Sequence, residues 1–132
     1  MFSLDIESQP IIIAPDSTRI QELLNPNSSE KETNVGYSLA LGTILVGRKT
    51  IRHRLRSSSE VYFILKGRAR FSINEHVEEV GVGSLVYVPP RAIQYVENIG
   101  DSDLQYLVIC DPPWHQDDVE LTNEEMKIER SE

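Results

Sequence analysis

The sequence has little cysteine, little positive charge and no long apolar run, and each shortage excludes something. Its one cysteine, Cys110, cannot form an intramolecular disulfide, and no C-x-x-C pair is present to grip a metal, so a reducing compartment is expected. The N-terminal apolar run Ile11-Ile12-Ile13 falls far short of the roughly 20 residues that a membrane helix needs, and residues 1–15 carry no basic leader. A soluble, cytoplasmic protein with no membrane partner is the expectation. With 13 Lys and Arg against 21 Asp and Glu, the formal net charge is -8, and counterion release on nucleic acid rewards the opposite sign. No nucleic-acid partner is expected. Motifs of nucleophilic and nucleotide chemistry are missing too: there is no G-x-S-x-G elbow, no phosphate loop and no dinucleotide fingerprint, and Cys110 on an apolar stretch reads as core.

What is present is a rhythm of short strands. The segments 38–46 (SLALGTILV), 50–55, 61–65, 69–73, 84–88, 93–97 and 104–109 are rich in β-branched and aromatic residues and are bounded by Gly, Pro, Asn or Asp. Regular spacing of this kind predicts an all-β sandwich or barrel. Two segments look helical: 17–24, with Asp16 or Ser17 as a cap, and 122–128, where Thr122 precedes Glu125 as a capping box. At 132 residues the chain fits one domain, with an N-terminal arm over 1–34, a barrel core over about 35–111 and an acidic tail over 112–132. Charge is unevenly spread. Eight of the thirteen cations lie between positions 48 and 70, opposed only by Glu60, while seven carboxylates follow position 116. Pairing of band and tail, or two solvated faces, would both account for this.

Alternation assigns the faces. In Ile51-Arg52-His53-Arg54-Leu55-Arg56 the cations occupy every second position, so outward arginines turn Ile51, His53 and Leu55 to the lumen. The same logic groups Glu60, Tyr62 and Ile64 on one face and sends Ala69, Phe71 and Ile73 inside. An inward glutamate is costly unless it is paired, hydrogen-bonded or bound to a metal, so His53 and Glu60 are the leading catalytic candidates.

These residues carry a resemblance. The run Gly47-x5-His53-x-Leu55-x4-Glu60-x6-Gly67 resembles the first cupin signature, G-x5-H-x-H-x4-E-x6-G. Sixteen residues after Gly67, Gly83-x5-Pro89-x-Arg91-x2-Gln94-x3-Asn98 resembles the second, G-x5-P-x-G-x2-H-x3-N. With the APDSTRIQELL, SLALGTI and CDPPWHQDD stretches, the likeness to small single-domain cupins of the sugar-phosphate-isomerase-like kind spans nearly the whole chain. It implies a double-stranded β-helix, a jelly-roll barrel with one or two short helical turns at its ends.

The resemblance also implies a metal held at positions 53, 55, 60 and 94. Here these are His53, Leu55, Glu60 and Gln94, so half the ligand set is altered; leucine coordinates nothing, and an amide oxygen is a weaker donor to a transition metal. Two readings stay open. Either one divalent ion (Mn, Fe, Ni or Zn) sits on His53, Glu60 and Gln94 and supports an isomerase, cyclase, lyase or oxygenase, or no metal remains and the trio forms a polar cluster or a metal-free acid/base couple. With two imidazoles missing, a small-molecule-binding cupin for a small polar or sugar-like ligand is the leading expectation. Tyr62 and Gln94 from the lumen and Arg91 from the mouth are the further ligand-binding candidates. His76 and His115 read as exposed, and Trp114 as an anchor for the C-terminal segment. An N-terminal edge strand over 9–14 bearing isoleucines would be an aggregation hazard if left open, which with the resemblance points to a homodimer.

Overall fold

The computed structural model describes residues 1–27 and 33–122. Eleven strands appear there: β1 (Ile12–Ile13), β2 (Arg19–Leu24), β3 (Ser38–Ile44), β4 (His53–Leu55), β5 (Ser59–Lys66), β6 (Ala69–Ile73), β7 (His76–Val80), β8 (Leu85–Val88), β9 (Gln94–Asn98), β10 (Leu104–Asp111) and β11 (Val119–Leu121). They form two antiparallel sheets, one ordered β1-β2-β3-β10-β5-β8 and the other β11-β4-β9-β6-β7. This is the double-stranded β-helix barrel. The only helical elements among the described residues are 3-10 turns at Ile6–Ser8 and Gln116–Asp118, and none is long and apolar enough to cross a membrane.

Inward residues follow the period of two that a pleated strand imposes. On β5, Glu60, Tyr62 and Ile64 are buried while Phe63 and Leu65 are exposed, and on β10 Leu104, Tyr106, Val108 and Cys110 are buried in step. Phe71 and Ile64 are sealed between the sheets, where truncating an aromatic side chain to alanine costs about 3–5 kcal/mol. Tyr62 meets Phe71 and Tyr106 edge-on, each at 5.0 Å between ring centres, an arrangement that ring quadrupoles favour.

Three expectations need correcting. Residues 19–24 are a strand, not a helix: pairing with β3 from Arg19 opposite Thr43 to Leu24 opposite Leu39, across a bulge, satisfies a backbone whose RIQELL pattern fits either period. Asp16 caps no helix; its carboxylate accepts from Thr18 N and Oγ1 within a turn. Ile51 is exposed rather than inward, because β4 begins only at His53 and the alternation does not extend back to residue 51. The helical reading of 122–128 falls almost wholly outside the described residues. Band and tail do pair in part: Glu120 on β11 bonds Arg54 at 2.5 Å and Arg56 at 3.0 Å on neighbouring β4, all within one chain. Those hydrogen bonds, Arg56 foremost, hold the Glu120 carboxyl below its usual range.

Candidate functional site

One end of the barrel holds a cavity with a free volume of about 40 Å³, which admits a few water-sized groups. Strand alternation supplies its walls. Thr18, Ile20 and Glu22 come from the β2 region, Ser38, Ala40 and Gly42 from β3, His53 and Leu55 from β4, Glu60 and Tyr62 from β5, and Tyr106, Val108 and Cys110 from β10. Trp114 closes one side, its N–H donating to Ser38 Oγ at 2.9 Å and its carbonyl accepting from Asn25, as the anchor expected. Gly42 lies directly across from Tyr106, and a Cβ there would collide with the tyrosine ring.

His53 and Glu60 both reach this cavity, with relative exposures of 3% and 6%. Nδ1 of His53 lies 2.7 Å from the Ile51 carbonyl, which can only accept, so that nitrogen carries a proton. Nε2 faces Asp16 Oδ2 at 3.3 Å. This is a close imidazole–carboxylate pair on the cavity wall. Asp16 is a site residue that sequence reasoning missed. The D-S-T stretch that marks it reads equally well as a helix cap, since an Asx turn and a cap use the same side-chain bonding.

Glu60 belongs to a second cluster. Gln94 Nε2 donates to Glu60 Oε1 at 2.5 Å, and the Tyr62 hydroxyl stands 3.1 Å from Glu60 Oε2 and 2.9 Å from Gln94 Oε1. Register explains the meeting: Gln94 is opposite His53 on one side and Ile73 on the other, while Glu60 and Tyr62 are two apart on β5. Burial pushes the Glu60 carboxyl above its ordinary value, against the opposing pull of His53 and of the Gln94 hydrogen bond. Burial likewise raises the Tyr62 and Tyr106 hydroxyls and the Cys110 thiol, whose Sγ is 3.8 Å from Glu60 Oε2. Cys110 is a core thiol, not an activated one.

The metal implied by the resemblance does not fit these residues. Leu55 presents hydrocarbon, both polar ends of Gln94 are engaged within the cluster, and Gln94 does not line the cavity. Among the described residues no group of three His, Cys, Asp or Glu side chains is arranged to hold an ion. Arg91 also stands apart from the cavity, on an exposed turn with φ of 70°, its N–H bonded to the Leu55 carbonyl at 2.7 Å. The resemblance places a glycine there, and the left-handed φ is why. His76 is exposed against Glu78, and the Nδ1 of His115 caps the Gln116–Asp118 turn.

Comparison with known proteins agrees with the strand reading. The Cupin domain family matches residues 40–110. The uncharacterized protein MJ1618 of Methanocaldococcus jannaschii is 37% identical over 109 residues, 83% of this chain and 85% of that one. Among solved structures, the nucleoside dehydratase Pac13 of Streptomyces superposes with a TM-score of 0.71 at 14% identity, over 93% and 92% of the two chains. A predicted oxalate decarboxylase of Thermotoga maritima superposes with a TM-score of 0.71 at 17% identity, over 84% and 99%.

Proposed function

The chain belongs to the Cupin domain family, and from that premise we propose that its barrel cavity binds a small, uncharged polar ligand, entering by a hydroxyl- or carbonyl-bearing end. The observation that carries this is the His53–Asp16 pair, buried, spaced at 3.3 Å and facing the cavity. An imidazole nitrogen beside carboxylate oxygens offers a hydroxyl group both donor and acceptor capacity. Among the described residues the lining contains no lysine or arginine, while Asp16, Glu22 and Glu60 contribute to it, so a phosphate or carboxylate would meet no matching cation other than His53. With about 40 Å³ free, a sugar-sized molecule reaches the pair with one end only. A nucleoside, the ligand class of the dehydratase that shares this fold, meets that description.

A second reading is metal-free acid/base chemistry, favoured by the contrast between the two carboxyls. Glu60 is held toward its neutral form by burial, as a proton donor must be, while Asp16 is paired with an imidazole that can take a proton.

Calorimetric titration of matched neutral and phosphorylated ligands, ribose with ribose 5-phosphate and uridine with its monophosphate, tests the binding reading. A neutral member is expected to bind at least tenfold tighter than its phosphorylated partner and to lose that affinity in His53→Ala and Asp16→Asn variants that keep the wild-type circular dichroism. No neutral ligand binding at millimolar concentration, or binding indifferent to both substitutions, would overturn it. Proton NMR of the same mixtures over hours separates binding from turnover.

A further inference from the structure

The turn that delivers Asp16 to the barrel has a second side. Along residues 13–20 the side chains alternate: Ala14, Asp16, Thr18 and Ile20 line the barrel cavity, while Ile13, Ser17 and Arg19 line a separate pocket on the outer surface. That pocket has a free volume of about 260 Å³, and its floor is set by the Ile13–Arg19 pairing and the β3 end. Its polar lining is Ser17, Arg19, Thr43, Arg48, Lys49 and Thr50, three cations and three hydroxyl residues with no carboxylate among them.

Three like charges around one concavity repel unless an anion lies between them, and this happens in a chain whose formal net charge is -8. Among the described residues neither Arg19 nor Arg48 has a carboxylate partner. Lys49 leans only on the Tyr95 ring, 5.9 Å from its centre. Acids on the bordering segments are engaged elsewhere: Asp16 turns to Thr18 and His53 on the barrel side, Glu97, bridged to Lys49 through the backbone, bonds Arg70 at 3.1 Å, and Asp103 accepts from the Val46 N–H at 3.3 Å. Guanidinium forks and hydroxyls are the donor set that phosphate oxygens take. We propose that this outer pocket is an oxyanion site for a phosphate-type group, separate from the barrel cavity.

The proposal differs from the cavity reading in both location and ligand charge, so each can fail alone. The test is a two-dimensional amide NMR titration with inorganic phosphate, then pyrophosphate, against sodium chloride of equal ionic strength. Saturable shifts centred on Ser17, Arg19, Thr43 and 48–50 are expected, with pyrophosphate binding tighter. An Arg19→Ala/Arg48→Ala variant should weaken binding at least fivefold, while Arg68→Ala, from the same basic stretch but outside the pocket, should not. Both pocket arginines are exposed, and unchanged amide shifts elsewhere verify the fold. Shifts that never saturate, that match those from chloride, or that fall equally in the Arg68→Ala control would overturn the site and leave only general charge attraction.

Discussion

Gln94 Nε2 lies 2.5 Å from Glu60 Oε1, and that contact counts protons. Gln94 spends a hydrogen on Oε1, and the single hydroxyl hydrogen of Tyr62 can serve either Gln94 Oε1 or Glu60 Oε2, not both. If Glu60 is ionised, either Gln94 Oε1 goes short or Glu60 Oε2 is left with only the weak Cys110 S–H donor at 3.8 Å. If it is protonated, Glu60 donates to Tyr62, Tyr62 to Gln94 and Gln94 back to Glu60, closing a ring in which every member gives once and receives once. Burial of the carboxyl pushes in the same direction.

The ring makes a pH prediction. Because the folded state raises the Glu60 pKa, its contribution to stability is fully present below the ordinary glutamate value and is lost as pH rises through the folded value. Glu60→Gln preserves the ring pattern without a titrating proton. Its urea midpoint is therefore expected to match wild type near pH 4 and to exceed it progressively toward pH 8, while Tyr62→Phe, which breaks the ring, costs about 1–3 kcal/mol. A Glu60→Gln protein less stable than wild type across that whole range would mean that the folded state needs the carboxylate.

Much of this architecture is legible in the sequence. Seven strand segments and the inward placement of His53, Glu60 and Tyr62 follow from alternation and turn chemistry, which are local, whereas the choice of barrel over sandwich comes from the two spaced motifs that resemble the cupin signatures. Asp16, Tyr106 and the closing of the Glu60–Tyr62–Gln94 ring are not legible there, since each depends on which strand lies beside which. Asp16 reaches His53 across 37 residues and Tyr106 faces Gly42 across 64, pairings set by sheet order. The β7 strand was hidden for a different reason: its residues are nearly all exposed, so no apolar period marks HVEEV.

A metal prediction follows from Leu55. It is 3% exposed and lines the cavity beside His53, at the position where the resemblance places a second imidazole. Elemental analysis of protein purified without chelator or affinity metal is expected to find far less than one transition-metal ion per chain. The double variant L55H/Q94H, which replaces the hydrocarbon and frees Glu60 from the amide, is expected to gain about one. Stoichiometric metal in the wild type, lost in both His53→Ala and Glu60→Ala, would show that the ring opens to bind an ion.

The outer face of the six-stranded sheet bears on assembly, and we propose that it packs against a second copy of the chain. Leu85, Phe63 and Leu107 stand side by side on β8, β5 and β10, and Tyr87, Val61 and Ile109 form the next-but-one row on the same face. Phe63, Leu85, Tyr87 and Ile109 are all exposed, and a contiguous apolar face of this kind marks an interaction surface more often than scattered residues do. The edge strand β1 is the weaker candidate: it is two residues long, offering few backbone groups, and one side is already paired with β2. Sedimentation at micromolar concentration is accordingly expected to give a dimer that Phe63→Glu converts to monomer and Ile12→Lys leaves intact. The reverse pattern would move the interface to the β1 edge, and a wild-type monomer would leave both apolar surfaces without a second copy to cover them.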